Sequence, residues 1–83
     1  MMHAEIEPPN TLLAEELATR GWTVRDLAAR ADLDDATVTA LVRDGAPVTT
    51  DLSAALGRAF GTDPGFWLRL DTRLRAMRAK KLI

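Results

Sequence analysis

Side chains that could carry out catalysis are scarce in this sequence of 83 residues. It has no cysteine and no tyrosine, and its single histidine, His3, stands near the start of the chain, where we expect solvation rather than metal binding. No glycine-rich phosphate loop and no His-x-x-x-His pair is present. We therefore expect no enzyme activity, no metal and no cofactor.

The polar side chains that stand out lie at helix starts and along one short helix. Thr23 and Asp26 have the spacing of a capping box, with aspartate in place of the usual glutamate. Asp34 precedes the run DATVTALVR, in which Val38 and Leu41 share an apolar face. Hydroxyls and carboxylates on the opposite face could bond to base edges. The acidic residues at its start equally suit the positive end of the helix dipole.

Five helices are predicted to position these side chains. Apolar residues recur every three or four positions in each segment, and no segment alternates as a strand would. The predicted helices are capped by Asn10, Thr23, Asp34, Thr50 and, for the last, Thr62 or Asp63. The very short connection Asp32-Leu33 between the second and third predicts a helix-turn-helix. The fold class is therefore all-α, a compact five-helix domain.

The chain is predicted to form one domain after a short arm. Residues 1–9 lack a helical period and are predicted to form a flexible arm. Residues 10–83 are predicted to form the domain, with a long last helix at about 63–79. No apolar run approaches the roughly 18–20 residues that span a membrane. With no cysteine to form disulfides, a cytoplasmic location is expected.

The formal net charge of −1 conceals an uneven distribution. Residues 1–65 carry a net charge of −6, whereas residues 66–83 carry +5. A basic patch is typical of nucleic-acid binders, because neutralisation of phosphates supplies much of their affinity. The alternative is that these charges form the solvated face of a terminal helix.

Several stretches of the chain match one family of regulators. They are PPNTLLAEEL ahead of RGW, then DLAARADL, TVTALV and APVTTDLSAALGRAFGTDPGFWLRL. From Ile6 to about Arg75 the sequence resembles the HigA-type antitoxins, a branch of the Xre family of lambda-repressor-like helix-turn-helix proteins. The turn Gly-Thr-x-Pro running into Phe66-Trp67-Leu68 is typical of that branch.

The resemblance implies a two-fold homodimer that binds a palindromic operator in double-stranded DNA, represses its own operon and neutralises a partner toxin. Each third helix would enter a major groove. Base-reading positions would be Asp35, Ala36, Thr39 and Ala40. Phosphate contacts would come from Thr23, Val24, Arg25 and the loop Arg43 to Ala46.

The chain departs from this family at the positions that should touch DNA. The family often has Gln at the position of Val24, and Arg, Gln or Ser at the reading positions. The side chains left to hold DNA are Thr23, Arg25, Thr37, Thr39 and Arg43. A second hypothesis therefore stands beside the repressor: a protein-interaction module that keeps the fold but binds DNA weakly or not at all.

The last predicted helix carries an apolar stripe, Phe66, Trp67, Leu70, Leu74 and Met77, at helical spacing. Its first turn should cap the core of the subunit. A domain of this size has little core left for the other end, which favours a homodimer seam or a toxin-binding surface. Subunits are therefore predicted to pair through the stripe, at Trp67, Leu70, Leu74 and Met77. The alternative is that the whole helix folds back onto its own bundle.

Overall fold

The structure is a computed structural model that describes residues 8–81, with side chains described up to residue 77. The described residues form five helices and no strand, so the predicted all-α fold is confirmed. The helices are α1 (Pro9–Arg20), α2 (Val24–Ala31), α3 (Asp35–Arg43), α4 (Thr50–Phe60) and α5 (Phe66–Lys81). His3 and most of the predicted arm lie outside the described residues.

Two of the predicted helix caps are present as expected. The Thr23 hydroxyl oxygen accepts a hydrogen bond from the Asp26 N–H at 3.1 Å, and the Asp26 carboxylate accepts one from the Thr23 N–H at 2.9 Å. The Asp34 carboxylate accepts from the Thr37 N–H at 2.8 Å. Both caps satisfy backbone donors that have no partner within the helix. They fix where α2 and α3 begin.

Two other predicted caps are wrong by one or two residues. Asn10 lies within α1, whose cap position is Pro8 and whose first residue is Pro9. Proline suits that place because its missing N–H is one the helix could not use. Thr50 is the first residue of α4, and Thr49 caps the helix by accepting from the Leu52 N–H at 3.2 Å.

The last helix begins later than predicted. α5 starts at Phe66, because Pro64 and Gly65 form a turn ahead of it instead of its first helical turn. The Asp63 carboxylate accepts from the Gly65 N–H at 2.9 Å, and the Asp63 carbonyl accepts from the Phe66 N–H at 3.0 Å. Asp63 thus organises the approach to α5 without capping a helix at Pro64.

A buried serine joins α4 to α5. The Ser53 hydroxyl donates to the Pro64 carbonyl at 2.5 Å and accepts from the Leu68 N–H at 3.0 Å. The connection between α4 and α5 also passes close to the backbone of Gly57, where a Cβ would lie 2.9 Å from the Thr62 carbonyl oxygen. These contacts set the direction in which α5 leaves α4.

The core lies between all five helices and includes Trp67. This side chain is 1% exposed and contacts the rings of Phe60 and Phe66, with centroids 5.5 and 5.1 Å away. The prediction that Trp67 pairs subunits is therefore wrong, because the indole is enclosed by its own subunit. The buried apolar side chains are Leu13, Leu17, Leu27, Ala28, Ala31, Val38, Leu41, Val48, Ala55, Leu56 and Trp67.

Candidate nucleic-acid interface

The turn between α2 and α3 is closed by backbone hydrogen bonds. Asp32 adopts a left-handed conformation with φ 59° and ψ 47°. The Leu33 N–H donates to the Ala28 carbonyl at 2.9 Å, and the Asp32 N–H donates to the Ala29 carbonyl at 3.4 Å. This pairing is the Schellman arrangement that ends a helix within one residue. Buried Ala28 leaves room for the two helices to approach closely. The structure thus contains the helix-turn-helix geometry.

The third helix has an inner and an outer face. Val38 and Leu41 are buried in the core, so the residues between them face away from it. Residues four apart lie on the same face of a helix. The outer side chains are exposed in the first turn and half-buried in the next. The outer face carries the predicted reading positions Asp35, Ala36, Thr39 and Ala40.

An ion pair links the predicted phosphate-binding end of α2 to the predicted reading face. The Arg25 Nε lies 3.7 Å from the Asp35 Oδ2, and the two side chains are 86% and 57% exposed. Exposed pairs of this kind contribute only about 0–1 kcal/mol. Arg25 could therefore exchange Asp35 for a phosphate at little cost, but the Asp35 carboxylate would remain at the DNA surface.

Two threonines at this face also serve the helix caps. Thr23 accepts a backbone hydrogen bond, and a hydroxyl that accepts can still donate its own proton, for example to a phosphate. Hydrogen bonds from the Thr37 side chain and backbone N–H hold the pKa of Asp34 below its ordinary value. Thr37 therefore supports the charged cap, and its contact with DNA stays a prediction.

The loop after α3 is tied to α5. Gly45 has φ 66°, and the exposed Arg43 precedes it. The Val48 N–H donates to the buried carboxylate of Asp71 at 3.2 Å. The Arg75 Nε donates to the same carboxylate oxygen at 2.9 Å. Asp71 and Arg75 were not among the predicted site residues, although Asp71 is the one acidic residue of the basic segment and precedes Arg75 by four positions.

Carboxylates outnumber guanidinium groups around α2, α3 and their loops. Arg25 and Arg43 are the basic side chains at the predicted DNA positions. The exposed acidic side chains nearby are Asp26, Asp32, Asp34, Asp35 and Asp44. The helix-turn-helix therefore presents the right shape for a groove together with an unusually acidic surface.

Comparison with protein families assigns this geometry to a class. A family model described as a Cro/C1-type HTH DNA-binding domain matches residues 13–65. The match covers most of α1, all of α2, α3 and α4, and the connection to α5. The chain belongs to this family, and this membership supports the assignment of the protein as a DNA-binding transcriptional regulator. A search of curated proteins finds no match.

Two other kinds of site are absent from the residues that the structure describes. Within this part of the chain, no cluster of three or more His, Cys, Asp or Glu side chains could hold a metal ion. No helix among residues 8–81 is both long enough and apolar enough to cross a bilayer.

Proposed function

We propose that this protein is a dimeric repressor of the antitoxin type, which binds an operator of its own operon through α3. The main support for the proposal is the outer face of α3, which faces away from the core. Backbone hydrogen bonds fix the turn before α3, and the whole helix-turn-helix lies within the residues that match the family. Arg25 at the start of α2 and Arg43 at the end of α3 flank that face. In this arrangement both guanidinium groups reach phosphates on either side of a major groove.

The proposed dimer uses the exposed part of the α5 stripe. Met77 is 39% exposed and Leu74 is half-buried, beyond the part of α5 that covers the core. Phe66, 36% exposed, and half-buried Leu70 extend the same apolar surface. In a two-fold dimer the two α3 helices would lie about 34 Å apart, which is one turn of DNA.

The proposed neutralisation of a partner toxin rests on the resemblance to HigA-type antitoxins. The family match supports the DNA-binding half of this role and ends at residue 65, before α5 begins. In the proposal α5 serves the subunit interface, and a toxin would bind elsewhere or to the assembled dimer.

A protein-interaction module is the second candidate function. The surplus of carboxylates around α3, together with the Arg25–Asp35 ion pair, favours it. A good bidentate base contact contributes about 1–3 kcal/mol of discrimination, which alanines at reading positions cannot provide. In this case the helix-turn-helix would be a scaffold for binding another protein.

Selection from a pool of randomised DNA duplexes tests the first candidate, whatever the sequence of the operator. We expect enrichment of a motif with two inverted half-sites whose centres lie about 10 base pairs apart. Arg25→Ala and Arg43→Ala should weaken binding to that motif, while Arg58→Ala, an exposed arginine late in α4, should not. A pool that yields no motif would contradict the repressor and favour the interaction module.

A further inference from the structure

A pocket of about 220 Å³ lies where three elements meet: the start of α1, the loop after α3 and the middle of α5. It is lined by Asn10 from α1, by Arg43 and Asp44 at the end of α3, and by Asp71 and Arg75 from α5. Leu74, which belongs to the proposed dimer seam, also lines it, so the pocket adjoins that seam. We propose that this pocket binds a backbone phosphate of DNA, and that Arg75 is a ligand of that phosphate beside Arg43. The inference rests on the proposed function and extends its contacts to α5.

Arg75 is held in a position suited to this role. Its Nε donates to Asp71, which is buried and also receives the Val48 N–H. Because this ion pair uses Nε, the terminal amino groups of the guanidinium can donate to another oxygen. The Arg75 side chain is 47% exposed, so a ligand can reach it. Asp71 is thus a positioning residue, and the planar guanidinium matches the geometry of a phosphate.

The pocket adjoins the part of the molecule that should meet the DNA backbone. If the outer face of α3 lies in a major groove, the end of α3 and the loop after it lie at the rim of that groove, where the phosphates are. Arg43 belongs to that end, and Arg75 lines the same pocket. The bond from Val48 to Asp71 holds the loop against α5 at this corner.

The charge distribution supports a phosphate contact from α5. Residues 66–83 carry a net charge of +5, while the remainder of the chain carries −6. Arg75 brings guanidinium donors from the basic segment to the α3 loop. Its charge is balanced by Asp71, whose carboxylate also accepts from the neutral Val48 N–H, so Arg75 offers a phosphate directed donors rather than surplus positive charge. Asp44 is the carboxylate of the pocket that opposes an anion, and its removal should favour binding.

The test is a fluorescence-anisotropy titration of the full chain with a selected duplex and a scrambled duplex, over about 50–200 mM salt. Arg75→Ala is compared with Arg73→Ala, which removes the same charge from an exposed position on α5 outside the pocket. We expect Arg75→Ala to weaken binding to both duplexes by a similar factor, roughly three- to tenfold, and to reduce the salt slope by about one unit. Arg73→Ala should leave both quantities nearly unchanged.

Two further variants separate the phosphate contact from a loss of folding. Asn10→Asp places a negative charge in the pocket near the N-terminus of α1, where the helix dipole favours it. It should weaken DNA binding without lowering the thermal midpoint, and Asp44→Asn should strengthen binding. Equal effects of Arg75→Ala and Arg73→Ala, or no effect of Asn10→Asp, would overturn this inference and leave the repressor standing. Failure of the unmodified protein to bind any duplex would overturn both.

Discussion

At the scale of single residues, the tight turn of the helix-turn-helix depends on Asp32. Its φ of 59° lies in the left-handed region, which costs most L-residues roughly 1–2 kcal/mol. Aspartate and asparagine tolerate this region better, because their short polar side chains can bond locally. The residue type therefore matters for stability even though the side chain is exposed.

Substitution of Asp32 tests this dependence. Asp32→Ala should lower the free energy of unfolding by about 1 kcal/mol, measured by urea denaturation. Asp32→Asn is the matched control and should stay close to the unmodified protein. An alanine variant as stable as the asparagine variant would show that the backbone here is not strained.

Asp34 makes the start of α3 sensitive to acid. Hydrogen bonds from Thr37 lower its pKa below the ordinary value of 3.8. A depressed pKa in the folded state contributes stability that is present above pH 3.8 and is lost as the pH falls through the folded pKa. Asp63, whose pKa is lowered by the Gly65 N–H and by Arg69, acts in the same direction.

The Asp34→Ser variant isolates this contribution. Serine keeps a capping oxygen but does not titrate. We expect the thermal midpoint of the unmodified protein to fall more than that of Asp34→Ser as the pH drops below about 4. Parallel curves for the two proteins as the pH falls below the ordinary aspartate pKa of 3.8 would contradict the assignment.

At the scale of helices, Ser53 determines how α5 joins the bundle. It is fully buried, and it satisfies the Pro64 carbonyl and the Leu68 N–H at once. Loss of the hydroxyl leaves both backbone groups without this partner in a buried place, which costs about 1–3 kcal/mol.

Ser53→Ala should therefore lower the free energy of unfolding by about 1–3 kcal/mol, measured by urea denaturation. Thr19→Ala, which also removes a hydroxyl from a helix but at an exposed position, should change stability by less than about 0.5 kcal/mol. If both variants behaved alike, the Ser53 hydroxyl would not hold the α4–α5 connection.

The helices could be predicted from sequence where their ends agree with local signals. Gly21 and Gly61 end α1 and α4 in the left-handed conformation, and Thr23 and Asp34 begin α2 and α3 as expected. The predicted start of α4 differs by one residue because the pair Thr49-Thr50 offers two equivalent caps. The bonds of Ser53 could not be predicted, since its partners lie 11 and 15 positions away.

At the scale of the whole molecule, the apolar stripe of α5 is divided between two roles. Periodicity shows that its residues share a face, but it does not show what covers them. The structure places Trp67 in the core, while Met77 is exposed. The residues proposed for the dimer interface are therefore Phe66, Leu70, Leu74 and Met77.

If the dimer forms as proposed, a charged substitution at the seam should lower the mass of the assembly without unfolding the subunit. Met77→Asp should shift the protein toward a monomer in sedimentation equilibrium, because a charge would be buried in the seam, while the subunit keeps its thermal midpoint. Ala76→Asp adds the same charge at the neighbouring exposed position and should have a smaller effect. A monomeric unmodified protein, or equal effects of the two variants, would contradict the seam.

The proposed repressor reads DNA through α3 despite the acidic surface around that helix. The most direct measurement is fluorescence anisotropy of the unmodified protein with the DNA upstream of its own gene and with a scrambled control, at about 50 and 200 mM salt. We predict tighter binding to the upstream DNA at both concentrations, with affinity that falls steeply as salt rises. Equal, weak binding to the two duplexes that vanishes at the higher salt would contradict the repressor, and would mean that the helix-turn-helix serves as a scaffold.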